Sequence, residues 1–145
     1  MMKHLSIVAL AVVTAGAVSA LAQAPLSVSG AWVREPVPGR PQTAAYAVVE
    51  NPGNTEVMLV SVATDAATTA ELHEMVKAGD MMKMQQVKAI AVPASGKLEL
   101  KPGSFHVMLF NLKQPLKEGD TIALTFTTDK GATLKTTAVV KKGQM

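Results

Sequence analysis

No cysteine occurs among the 145 residues. This excludes disulfide staples, thiolate zinc sites and thiol redox chemistry. It also excludes blue-copper electron transfer, whose strong equatorial ligand is a cysteine sulfur. Stability must therefore come from burial of an apolar core. Aromatics are scarce, at one Trp, one Tyr and three Phe, and the basic residues are scattered. A nucleic-acid surface needs a basic stripe or stacking aromatics, so no nucleic-acid partner is expected. The formal net charge of +3 bears on solubility alone. A sustained helical period is missing too, as are internal repeats, low-complexity tracts and signs of a second domain.

The N-terminus has a short basic head at Lys3, an apolar run from Leu5 to Val18 and small residues at Ala17, Ser19, Ala20, Ala22 and Ala24. That is the pattern of a secretory signal peptide, too short to span a bilayer comfortably. Cleavage is expected after Ala22, because a cut after Ala24 would place Pro25 next. The chain thus divides into a signal peptide at 1–22 and one β domain at 23–145. An uncleaved anchor is the alternative; with no cysteine at the cut, lipid anchoring is excluded. No stable membrane insertion is expected after cleavage, and the destination is extracytoplasmic.

What is present is β texture. Runs rich in Val, Leu, Ile, Thr and Phe alternate with turn residues about every ten positions, the signature of a sandwich or barrel. Strands are predicted at 26–33, 44–50, 57–64, 71–76, 81–87, 97–100, 106–111, 121–127 and 133–140. In the eighth, Ile122, Leu124 and Phe126 face one way and the threonines the other. Residues 35–43 (EPVPGRPQT) hold three prolines and are predicted as an exposed loop. Residues 65–70 (DAATTA) allow a single turn.

Chemistry concentrates between Glu71 and Phe110, which contain His73, His106 and five of the nine methionines. If 71–76 and 81–87 form a hairpin around Gly79 with a two- or four-residue loop, His73 and Met84 share a face. With a loop at 77–80 they would be direct cross-strand partners, their β-carbons about 5 Å apart. His106 and Met108, two apart in a strand, also share a face. Pro102-Gly103 is a turn suited to aiming His106. Two imidazoles and two thioethers form a neutral, soft set that suits monovalent copper and offers calcium, magnesium or zinc little. That the two pairs meet in space is an assumption. Met58 reads as core filler and Met145 as a loose tail. Met75 and Met82 share the His73/Met84 face and are candidate helpers; Met81 is core, rim or a transient contact.

These residues resemble the fingerprint of the periplasmic copper(I) chaperone family known as PCuAC: a His, ten residues, a Met, twenty-one residues, then His-x-Met. His73, Met84, His106 and Met108 match it with both gaps intact. ELHEM, GDMMKM, LKPGSFHVML and PLKEGDTIALTFT also look like that family, with AWVREPVPG and AAYAVVEN upstream, so the likeness spans about 31–140. The resemblance implies a cupredoxin-like, Greek-key β-sandwich or barrel, binding one Cu(I) per chain through His73, Met84, His106 and Met108. It implies a periplasmic, monomeric carrier, not an enzyme. Its acceptor would be the CuA centre of cytochrome c oxidase subunit II, with a Sco-type thiol protein as a further partner. Gln85 and Asn111 depart from the Arg and Gly of many relatives. The tail at 141–145 lacks the His/Met-rich extension of some members, so a second, Cu(II)-binding tail site is not expected. Competing readings are a periplasmic copper buffer without a dedicated acceptor, a copper oxidase, and an adhesion module with incidental His and Met.

Overall fold

Alternating apolar residues build ten strands in the computed structural model, which describes residues 25–143. The expected signal peptide and Met145 lie outside the described residues. The strands are β1 (Ser27–Arg34), β2 (Thr43–Asn51), β3 (Val57–Ala63), β4 (Ala67–Ala78), β5 (Met81–Gln86), β6 (Ile90–Val92), β7 (Gly96–Leu100), β8 (His106–Leu112), β9 (Thr121–Thr128) and β10 (Thr133–Lys141). Their order is β5-β4-β8-β2-β1-β10-β9-β3-β6, with β7 also on β2. All pairings are antiparallel except β1 with β10. The sheet closes on a core of Val33, Val49, Leu59, Ile90, Val107, Leu109, Leu124, Phe126 and Val140, all essentially inaccessible. This is the all-β sandwich expected. Among the described residues no helix is long and apolar enough to cross a membrane.

Nine strands fall where alternation predicts them. Residues 65–70 correct the expectation of a turn: from Ala67 onward they are strand, because Ala67 and Thr69 pair with Leu112 and Phe110 of β8. A β-branched pair of threonines suits that role. β6 is an additional strand, three residues held against Val57, Met58 and Leu59 of β3. Met58 corrects another expectation: it is partly exposed on the outer side of β3, while its neighbours Val57 and Leu59 enter the core.

One irregularity positions the site. β2 pairs with β8 through residues 43–45 and with β7 through 47–51. Between them, residues 101–105 loop out opposite Tyr46. The loop is tied by bonds from Lys101 N to the Phe105 carbonyl (3.0 Å) and from Ser104 N to the Lys101 carbonyl (3.1 Å). Gly103 sits at φ 82°, which the third residue of a type II turn requires and Pro102 before it favours. The turn ends at His106.

Candidate metal centre

Strands β4 and β8 do two jobs by alternation. Leu72, Val107 and Leu109 point into the core, so His73, His106 and Met108 lie on the opposite, outer face of the sheet. His73 and His106 are direct cross-strand partners, with ring centroids 5.8 Å apart. Glu71 stands opposite Met108 in the next pair on that face. On the other side of β4, Met75 is opposite Met84 and His73 is opposite Gln86. The two sequence-derived pairs therefore do meet, through the β4–β8 ladder. The direct His73–Met84 pairing expected with a loop at 77–80 does not occur. Ala78 pairs with Met81, so the loop is only Gly79-Asp80. With Gly79 at φ 62° it has the form of a type II′ hairpin. His73 and Met84 still share the face, as diagonal neighbours, and a methionine side chain reaches across that interval.

The outer face is not open. The proline-rich segment is a loop over 35–42, exposed from Val37 to Gln42 as expected, while Thr43 is buried as the first residue of β2. It also walls a cleft of about 370 Å³ that takes in His106, Met108, Met84, Met75, Tyr46 and Arg34. In the cleft His106 is 3% exposed and Met108 4%, whereas Met84 is 46% exposed; His73 does not line the cleft and is 8% exposed, with the Phe110 ring 5.9 Å from its own. Three donors are thus sheltered and one stands at the mouth.

The hydrogen bonds orient both rings. His106 Nδ1 donates to the Ser104 carbonyl at 2.8 Å, within the turn described above. His73 Nε2 donates to a Glu71 carboxylate oxygen at 2.7 Å. Each bond leaves the other nitrogen with a free lone pair. Those nitrogens, His106 Nε2 and His73 Nδ1, are buried and, like Arg34 Nε, have no hydrogen-bond partner among the described residues. An unpartnered buried polar atom costs about 1–3 kcal/mol, and two neighbouring imidazoles that bear this cost have lone pairs to offer a soft cation. Among the described residues no three His, Cys, Asp or Glu side chains gather into a metal-binding group; the soft donors that share this face with the two imidazoles are the thioethers of Met75, Met84 and Met108.

Charge tunes the site. Burial holds His106 below the usual imidazole range; its bond to the Ser104 carbonyl opposes this, and the nearby His73 and Arg34 reinforce it. The ring is thus kept neutral, as a metal ligand must be. Arg34 lies over the Tyr46 ring at 5.8 Å, a cation–π contact. Burial raises the Tyr46 hydroxyl's pKa against the pull of Arg34. A fixed cation near a neutral ligand set favours a monovalent over a divalent ion.

Sequence reasoning missed Glu71, Ser104, Arg34 and Tyr46. Glu71 had a signal, since Glu-x-His on one strand places both side chains on one face. Arg34 and Tyr46 had none, because they arrive through the β1–β2 pairing.

Comparison with known proteins places the chain in a family. The family model described as LpqE-like matches residues 26–140. Lxx21020 of Leifsonia xyli subsp. xyli, named as a lipoprotein, is 36% identical over 117 residues, 80% of this chain and 69% of that protein. The solution structure of CuI-DR1885 from Deinococcus radiodurans superposes with a TM-score of 0.69 at 37% identity, covering 86% of this chain and 84% of that one. The apo PCuAC domain from PmoF1 gives 0.69 at 25% identity, covering 81% and 94%. The fold is accordingly the cupredoxin-like β-sandwich of PCuAC domains, and the chain belongs to the LpqE-like family, of PCuAC type.

Proposed function

We propose that the protein is an exported, non-enzymatic copper(I) carrier that holds one Cu(I) per chain and delivers it to a respiratory copper protein, the CuA centre of cytochrome c oxidase subunit II. The observation that carries this reading is the pair of buried, unpartnered nitrogens His73 Nδ1 and His106 Nε2, set beside two thioethers. His73 and His106 would hold the ion from the sheltered side, Met108 from the cleft floor and Met84 from the mouth. Imidazole and thioether together favour the monovalent ion, and with no thiolate or carboxylate among the four donors the hold is soft enough for ligand exchange. The solution structure that names CuI supports the cargo, and relatives named as lipoproteins support export. A Sco-type thiol protein is a second candidate partner.

Glu71 and the Ser104 carbonyl act through the imidazoles, fixing which nitrogen faces the ion. The exposed Met84 gives a partner's ligand a place to attack while the other three donors stay covered. To test the site, Cu(I) is titrated anaerobically against a chromogenic chelator for wild type, Met84→Ala and His106→Ala. One equivalent per chain and a clear loss of affinity in both variants are expected; unchanged affinity in both would remove the assignment. Delivery is tested by mixing the loaded protein with an oxidase subunit II domain. Copper that stays behind would mark a buffer.

A further inference from the structure

Three methionines occur within the six residues of β5, and every residue of that strand is exposed. β5 ends the sheet order, so it is an edge strand. Edge positions ordinarily carry charged or polar side chains that discourage pairing with other chains, and Lys83 fits that rule. Bare thioethers do not. Large exposed apolar side chains grouped in one place mark interaction or ligand sites, and methionine is the one apolar residue with a soft donor atom.

The register sorts these methionines by face. Met84 is opposite Met75, and Met82 is opposite Lys77, so Met75, Met84 and Met82 share the face of His73. Met81, opposite Ala78, belongs to the other face. From the cleft outward the thioethers run Met108, Met75, Met84, Met82, and exposure rises from 4% at Met108 to 46% at Met84 and 55% at Met82. Met75 and Met84 are cross-strand neighbours at about 5 Å between β-carbons, and Met75 and Met82 are diagonal neighbours at about 7 Å. Three sulfurs on flexible side chains at those spacings can converge on one ion.

We propose that Met75, Met82 and Met84 form a second, outer thioether site for Cu(I) on the β4–β5 hairpin, through which the ion enters and leaves the His73/His106/Met108 pocket. This rests on the copper-carrier reading above. Met84 belongs to both sites. Passage is ligand exchange: one copper–sulfur bond forms as one copper–nitrogen or copper–sulfur bond breaks, and no electron moves. Lys77 faces Met82 at the outer end, and its charge disfavours a resident cation there, so the outer site passes copper on and does not store it.

The experiment uses protein labelled with 13C at the methionine methyls, titrated anaerobically with Cu(I). The first equivalent is expected to shift the Met84 and Met108 methyls, and Cu(I) in excess of it to shift those of Met75 and Met82 in a second, weak and fast-exchanging event. In the Met75→Leu/Met82→Leu double variant the second event should vanish. Transfer of the first equivalent to a chromogenic chelator should slow at least fivefold, while Met81→Leu transfers at the wild-type rate. Silence of Met75 and Met82 beyond one equivalent, or an unslowed double variant, overturns the outer site. A Met108 methyl that ignores the first equivalent overturns the four-ligand reading instead, and the Met75 and Met82 shifts still decide the outer site.

Discussion

Replacing His106 by leucine should abolish tight copper binding while leaving the apo protein as stable as wild type, or more so. The two effects follow from one ring. In the apo protein His106 Nε2 is buried without a partner, a burden of about 1–3 kcal/mol that an apolar side chain of similar volume removes. Against that, the bond from His106 Nδ1 to the Ser104 carbonyl is lost, about 0.5–1.5 kcal/mol. The balance runs from near neutral to about 2 kcal/mol in favour of the variant, an upward Tm shift of up to about 8 °C for a domain of this size. Copper reverses the ranking. At free Cu(I) one hundred times its Kd, wild type gains about 2.7 kcal/mol, and a variant that no longer binds gains nothing. Anaerobic thermal unfolding of both proteins, with and without Cu(I), measures all four quantities. An apo variant destabilised by more than about 2 kcal/mol would show His106 to be a satisfied structural residue. Equal copper stabilisation of both proteins would equally refute the reasoning.

Other outcomes follow from the same geometry. Because the folded-state pKa of His106 lies below its ordinary value, the unfolded chain holds the extra proton between the two. Apo stability is therefore full above about pH 6.5 and is lost as pH falls through the folded value; urea midpoints should show this slope in wild type and a smaller one in His106→Leu. Glu71→Ala frees the His73 ring from its hydrogen-bond partner and should weaken Cu(I) affinity about tenfold with the circular dichroism spectrum unchanged. Asn111 sits at φ 55°, where glycine is at ease and asparagine is tolerated. Asn111→Val should therefore cost about 1–2 kcal/mol in chemical denaturation, and Asn111→Gly under about 1 kcal/mol.

That last position shows what was legible in the sequence. Asn111 was visible as a departure from the glycine of many PCuAC relatives, but its left-handed backbone was not; the structure supplies the reason that glycine and asparagine can replace one another there. The four candidate positions were legible because strand parity and fixed gaps are local properties. The pairing of His73 with His106 was not, since register between strands thirty residues apart is set by the core residues on their other face. β6 escaped notice because three residues carry too little alternation to register. Residues 65–70 misled because alanine and threonine are ambiguous until β8 lies alongside.

The strict division of labour along β4 and β8 has a consequence for redesign. Alternate residues such as Leu72, Val107 and Leu109 answer to the core, and the candidate donors His73, His106 and Met108 all fall on the other face, so the two sets of requirements rest on different residues. On the copper-carrier reading, exchanging His73, His106 or Met108 for thiolate or carboxylate residues would re-address the face to zinc or a harder cation while leaving Leu72, Val107 and Leu109 in the sequence of the core. The chemistry of the face and the identity of the core are then set by different letters of the same two strands.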